Sequence, residues 1–332
     1  MRELETIAAL PRSLRLGEPI ASGSLALVPV FGGRPAPEYQ LAAEAIAVGT
    51  LSVGEIGGGQ VPQLGVRNTG GLPVLLVEGE HLQGAMQDRV LNVTVLVPAK
   101  ADTEIPVSCV EHGRWNYRSG KRFASSPSFS PTTLRAMKTA SVSARRRSVG
   151  DHRSDQALVW AEVARKHAEV GVRSPTGAMR DGFEQRAADL DAMMRPFARP
   201  LPGQMGVVVC IGGRAVTFDG FDRPETLATL WPRLVRGYAM EALGAPSRAT
   251  NRDAAQRFLA KIGSAQATAH DAVGLGTEVV LTERGFVAGS LVWKDVIVHI
   301  AAFEEAAGRE SGERPRRRRD VGSWFRDQER ST

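Results

Sequence analysis

Residues 73–115 read PVLLVEGEHLQGAMQDRVLNVTVLVPAKADTEIPVSCVEHGRW, and the fold turns on how this stretch is parsed. Val74 to Val77 is continuously apolar, as a strand buried on both faces is. Gly79 and Gly84 bracket a turn. From Arg89 to Val97 the residues alternate, so Arg89, Leu91, Val93, Val95 and Val97 share one face of a strand. The third run alternates too and sets Ile105, Val107, Cys109 and Glu111 together. Residues 98–104 form a polar hairpin loop between the last two runs. That hairpin places Leu91 opposite Glu111 and Arg89 one diagonal step away, about 7–8 Å at the backbone. The preceding turn, centred near Gly84, returns Glu80 to the level of Gln87 and Asp88. The expectation is therefore that Glu80, Gln87, Arg89 and Glu111 converge at one end of a three-stranded sheet, with Arg114 and Trp115 just beyond. Such a convergence is either an open site or a closed ion-pair cluster.

Outward from this stretch, strand and helix signals alternate in blocks. Residues 1–20 are amphipathic. Leu25 to Phe31, Leu51 to Ile56 and Leu64 to Asn68 read as strands punctuated by glycine and proline, and Tyr39 to Val48 has helical spacing. Ser119 to Ser130, rich in Ser, Lys and Arg, reads as a flexible crossing. Helical patterns follow near 132–147, 154–170 and 176–195. The second carries a stripe of Leu158, Val159, Ala161 and Val163, and either Ser154 or Asp155 caps it. Strands resume at Met205 to Ile211 and Ala215 to Phe218 around the Gly212-Gly213 turn. A helix spans Glu225 to Leu243, another begins at Asn251 or Asp253, and residues 265–303 read as further strands. Blocks of strands and helices, without strict βαβ alternation, predict an α+β fold. Its core is an antiparallel sheet with a helical insertion at 132–195 and further helices packed on the sheet. Residues 1–303 form the single domain, and 304–332 an Arg-rich, disordered tail whose run Arg314 to Arg319 is dispensable for folding.

Composition narrows the function classes. The 332 residues are 42% hydrophobic and 23% charged, ordinary values for a globular chain. The net charge of +6 is local, because Arg314 to Arg319 alone contributes five positive charges. That argues against a nucleic-acid groove; the tail is the one stretch suited to RNA or anionic surfaces. No apolar run approaches the ~20 residues that span a membrane. Two cysteines, Cys109 and Cys210, both in apolar runs, read as buried free thiols suited to a reducing compartment, and a cytoplasmic location is expected. No zinc spacing, phosphate loop or complete triad is present.

The motifs Glu78-Gly79-Glu80, Gly84-Ala85, Gln87-Asp88-Arg89, Ile105 to Glu111 and Gly113-Arg114-Trp115 resemble one known family. It is the ARG and rhodanese-phosphatase-superfamily-associated protein domain family, where ARG stands for ADP-ribosylglycohydrolase. Gly206 to Ala242, with Phe221, Trp231, Leu234 and Tyr238, is similar as well, and the resemblance covers most of 15–303. Asp88 and His81 depart from the family pattern and are not carried over. The family name implies association with enzymes that process ADP-ribose and phosphorylated products.

Two functions follow as expectations. One is a hydrolase acting on NAD- or ADP-ribose-derived phosphorylated compounds, with Glu80, Gln87, Arg89 and Glu111 as catalytic residues and Glu78, Arg114 and Trp115 binding the ligand. The other is a non-catalytic nucleotide or ADP-ribose sensor using the same groove. Either takes a nucleotide-like small molecule as partner. Glu78 and Glu80, two apart, share a face if they lie on a strand, and such a pair suits a divalent metal cofactor or acid–base work. No residue is assigned as a metal ligand. An arginine at position 89 suits bidentate binding of phosphate or carboxylate.

Overall fold

The longest apolar runs are buried on both faces, and this decides the layering. In Leu25–Phe31, Leu25 and Leu27 join one core cluster while Ala26, Val28 and Val30 join another. Gln204–Ile211 divides the same way, with Val207 and Val209 on one side and Val208 and Cys210 on the other. These strands are central in a nine-stranded antiparallel sheet. Its order is Arg15–Leu16, Leu25–Phe31, Gln204–Ile211, Arg214–Phe221, Val296–Glu304, Phe286–Trp293, Thr277–Glu283 and Gln266–Asp271, with Ile20–Ser22 also on Leu25–Phe31. The computed structural model describes residues 2–57, 59, 61–116, 122–250 and 252–305. Arg314 to Arg319 and the rest of the expected tail after Glu305 lie outside the described residues.

One face of this sheet is covered by the helix Pro224–Ala242, which buries Leu227, Leu230, Trp231, Leu234 and Tyr238. The other is covered by the helices Arg2–Ser13 and Arg252–Ser264 through Ile7, Phe258, Leu259 and Ile262. The architecture is α+β, with helices packed on antiparallel sheets. Helices Thr132–Val149, Gln156–Val170, Met179–Gln185 and Ala187–Met194 put Leu134, Val159, Val163, Phe183 and Leu190 into the same cluster as Val207 and Leu234. The expected stripe on the second helix is narrower than its sequence suggests. Val159 and Val163 are buried, but Leu158 is 42% exposed. Asp155 caps this helix, accepting from the N–H groups of Ala157 and Leu158.

The opening stretch is divided between two smaller sheets. Val74–Leu76 pairs with Val95–Val97 antiparallel and with Gln40–Leu41 parallel. The other sheet runs Phe123–Phe129, Glu80–Gly84, Arg89–Leu91, Ala101–Cys109, Gln63–Asn68 and Leu51–Gly54. Four expectations are corrected here. The run 89–97 is not one strand, because it breaks at Asn92–Thr94 and its second half leaves for another sheet. Leu91 lies opposite Val107 rather than Glu111, and Arg89 lies opposite Cys109. Asn92 and Thr94 are the cause. Asn92 is buried and bonded to Ser108 and His152, and Thr94 bonds His299. The turn before them is centred beyond Gly84, since Leu82 pairs with Arg89, and it carries Ala85 at a φ of 41°. Finally, the expected flexible crossing contains a strand, Phe123–Phe129. Its serines made it look like a loop, but Ser126 and Ser128 point inward and bond each other.

Candidate functional site

Glu78 lies in the turn before Glu80–Gly84, not on a strand, so it does not share a face with Glu80. It enters a fully buried ionic network. Arg135 donates from Nε to Glu78 (2.9 Å) and through both terminal nitrogens to Asp219 (2.9 and 2.7 Å). Lys138 donates to the other Glu78 oxygen (2.5 Å) and to the Asn92 carbonyl (3.1 Å). Tyr238 donates to Asp219 (2.5 Å), and His299 bridges Asp219 and Thr94. Burial disfavours the Asp219 carboxylate, but the Arg135 charge and the His299 contact outweigh it and hold the group well below the usual range. Burial also lowers Lys138. Gly79 is required at this point, because a Cβ there would meet Arg135 Nε at 2.6 Å.

Glu80 turns to a different partner. Its carboxylate accepts from Arg233 (2.6 Å) and from the Val77 N–H (2.7 Å). Glu78 and Glu80 are thus two separate ion pairs and not the expected carboxylate pair. Neighbouring His81 bonds Ser130 (2.7 Å). Burial, then the charges of Arg233 and Lys138, push it down to about 3, so it is neutral.

Gln87, Arg89, Glu111, Arg114 and Trp115 come together, in company the sequence did not indicate. Gln87 is the bridge: its amide nitrogen donates to the Glu111 carbonyl (3.0 Å) and its oxygen accepts from Arg89 (2.9 Å). Arg89, 0% exposed, has Glu55 as its ion-pair partner at 3.7 Å, rather than Glu80 or Glu111. Glu55 follows the strand Leu51–Gly54. On the other side, Arg114 donates to Glu111 (2.6 Å) and Asp88 (3.3 Å) from one nitrogen. Arg180, on the helix Met179–Gln185, lies 3.4 Å from Asp88 and 3.7 Å from Glu111. The start of that helix is tied to this corner by a bridge between Glu111 and Ala178 and by the Met179 N–H on the Val110 carbonyl.

The two carboxyls here are unlike. Burial, then the Glu111 charge, push Asp88 up to about 6 despite Arg180, the Gly84 N–H and Arg114. For Glu111 burial works the same way, but bonds from Arg114 and the Asp88 N–H outweigh it and lower the group. The cluster is also incompletely bonded. Among the described residues fifteen buried side-chain polar atoms make no hydrogen bond, and seven belong to this one corner. They are both oxygens of Glu55, Asp88 Oδ2, Nε and Nη2 of Arg89, Arg114 Nε and Arg180 Nη2. Buried polar groups are bonded as a rule, so such a concentration calls for an explanation. Trp115, 48% exposed, lies at its outer edge with its ring 5.9 Å from the Arg89 guanidinium carbon. A Cβ on Gly59 would meet Met86 there at 2.7 Å.

Cys109, opposite Arg89, is buried, and burial raises its thiol; His112 packs its ring on Trp160. Among the described residues no group of three or more His, Cys, Asp or Glu is arranged to hold a metal ion, and no helix is long and apolar enough to cross a membrane. Two cavities elsewhere, one of about 680 Å³ beside Arg146, His152 and Asp271 and one of about 400 Å³ between Gly32, Met205 and Ile300, share no residue with the cluster.

Residues 13–303 match the sequence profile of the ARG and Rhodanese-Phosphatase-superfamily-associated Protein domain, ARPP-1. The chain belongs to the ARPP-1 family. No curated protein and no solved structure matches it. In this ARPP-1 domain the motifs that carry the resemblance contribute Glu78, Asp219 and Tyr238 to the closed network and Gln87, Asp88, Arg89, Glu111 and Arg114 to the incomplete cluster. Glu55, Asp88 and Arg180 are the members that sequence reasoning missed. Glu55 lies within the expected strand Leu51 to Ile56, outside the stretch whose register was followed. Asp88 departs from the family pattern. Arg180 sits in a polar helix with nothing local to mark it.

Proposed function

We propose that this ARPP-1 domain binds a phosphorylated NAD- or ADP-ribose-derived compound at the Glu55, Asp88, Arg89, Glu111, Arg114 and Arg180 cluster, and hydrolyses it. The observation that carries the reading is the concentration of buried charged atoms with no hydrogen-bond partner in that corner. Free N–H groups on Arg89 and Arg180 suit phosphate oxygens, which arginine binds in a fork. Trp115 offers an exposed aromatic face to a base. The unbonded oxygens of Glu55 suit ribose hydroxyls or a divalent cation. In this reading Gln87 holds Arg89 in place, Glu111 and Arg114 form the rigid floor, and Glu78 and Glu80 support the fold beside it.

A non-catalytic sensor is the second reading. It is favoured by Glu111, whose two oxygens are already engaged by Arg114, Thr176 and the Asp88 N–H. A thermal-shift panel of NAD, ADP-ribose, ADP-ribose-1″-phosphate and divalent metals tests binding first. A ligand at 100 times its Kd stabilises by about 2.7 kcal/mol. Binding with phosphate release supports the hydrolase, and binding without turnover supports the sensor. No shift with any compound, in a protein whose Arg89→Ala variant also behaves as wild type, counts against both.

A further inference from the structure

We infer that Asp88 is the acid–base residue of this cluster and that Glu111 is its ionised neighbour. The bonding of the two carboxyls carries the assignment. Glu111 is held at both oxygens: Oε2 accepts from Arg114 (2.6 Å) and from the Asp88 N–H (3.2 Å), and Oε1 accepts from Thr176 (3.1 Å). Asp88 is held at one. Its Oδ1 accepts from the Gly84 N–H (3.2 Å) and from the shared Arg114 nitrogen (3.3 Å), while Oδ2 is buried with no hydrogen bond. Among the described residues, the charged groups facing Asp88 come from two segments. Glu111 and Arg114 come from the segment after Ala101–Cys109, and Arg180 comes from the helix Met179–Gln185. Arg89 pairs with Glu55 instead. Arg180 lies slightly nearer Asp88 (3.4 Å) than Glu111 (3.7 Å), but the Arg114 nitrogen that both carboxylates share lies much closer to Glu111 (2.6 against 3.3 Å), so the charge stays there and the proton goes to Asp88. Two carboxyls whose surroundings push them apart are the usual mark of an acid–base assignment. The raised value of Asp88 and the lowered value of Glu111 agree with it. Oδ2 faces Arg180, the most exposed of these partners, so its proton is on the side nearest water.

This deepens the hydrolase reading and rests on it for the chemical step. In hydrolysis of a phosphoester, the water oxygen forms a P–O bond as the P–O bond to the leaving group breaks. The leaving oxygen takes the proton from Asp88 Oδ2. The attacking water loses one proton, which returns to the Asp88 carboxylate, so the residue is restored and one water is consumed.

The proton-holding role is testable without a ligand. Side-chain carboxyl ¹³C signals, assigned through bonds, are followed against pH in the intact protein. Asp88 titrating near 6, with Glu111 below its ordinary range, is the expected result. A midpoint for Asp88 below about 4.5, near the free carboxyl range, overturns the inference whatever the ligand proves to be. The catalytic role is read with ADP-ribose-1″-phosphate. Asp88→Asn should lower phosphate release at least about 100-fold while keeping the ligand-induced thermal shift, with Asp88→Glu partly restoring turnover. Release within threefold of wild type, or a loss of turnover matched by loss of binding, overturns it. If wild type neither binds nor cleaves any compound of the panel, the hydrolase reading fails. The ¹³C midpoint then decides on Asp88 alone: near 6 supports proton holding, and an ordinary value overturns it.

Discussion

Two buried ionic clusters grow from the same forty residues, and they differ in completeness rather than in charge. Around Arg135, two basic and two acidic side chains meet, and each of their charged atoms has a protein partner. Around Arg89 and Arg114, three basic and three acidic side chains meet, and five of the six keep at least one buried atom without a hydrogen bond. Burial alone does not separate the two clusters, because Arg135 and Arg89 are both 0% exposed. Hydrogen-bond accounting does. A closed network leaves no charged atom without a partner and serves to fix the packing of helix Thr132–Val149 against the sheet. An incomplete one retains capacity for binding.

The contrast is broken most directly at its closed end. Arg135→Met leaves Glu78 and Asp219 short of their main partner in the core and should cost about 3–5 kcal/mol, read as a lower denaturant midpoint. A loss under about 1 kcal/mol, within the range of a surface pair, would mean that the network is not a unit. The next effect is a pH dependence in the incomplete cluster. Asp88 is raised when folded, to about 6 from an ordinary 3.8, so the folded state binds the extra proton. Its contribution to stability is fully present below about pH 3.8 and is lost as pH rises through about 6. Relative to Asp88→Asn, wild type should therefore lose up to about 3 kcal/mol across that window. A flat difference between the two proteins would remove the distinction between Asp88 and Glu111.

Smaller changes separate stability from binding. Arg89→Met replaces an arginine that makes a single side-chain hydrogen bond, to Gln87, and a 3.7 Å ion pair. It should cost about 1–2 kcal/mol, less than Arg135→Met, while abolishing the ligand-induced thermal shift. The reverse order of stability losses would place the strut at Arg89. Trp115→Ala should change stability by less than about 0.5 kcal/mol, as befits a half-exposed side chain. Titration with ADP-ribose should show affinity reduced about tenfold if a base stacks on the ring. Unchanged affinity would leave Trp115 outside the ligand's footprint.

Sequence by itself determined the elements whose causes are local. Leu25–Phe31 is a strand because its run ends in Gly32 and Gly33; Gln156–Val170 starts where Asp155 caps it; and Gly212-Gly213 closes a hairpin. It also placed Gln87, Arg89, Glu111, Arg114 and Trp115 at run ends, where the structure gathers them. Tertiary structure alone decided what each strand faces. Local alternation ran Arg89 to Val97 as one strand, but Asn92 and Thr94 find partners far along the chain, His152 and His299, so the strand broke and the register moved. Glu78 and Glu80 parted because their arginines arrive from residues 135 and 233. Glu55 and Arg180 joined the cluster from strand and helix ends distant in sequence. Periodicity reports which side chains share a face of one element. Whether a buried polar group survives there depends on a partner that only the folded chain brings within hydrogen-bonding distance.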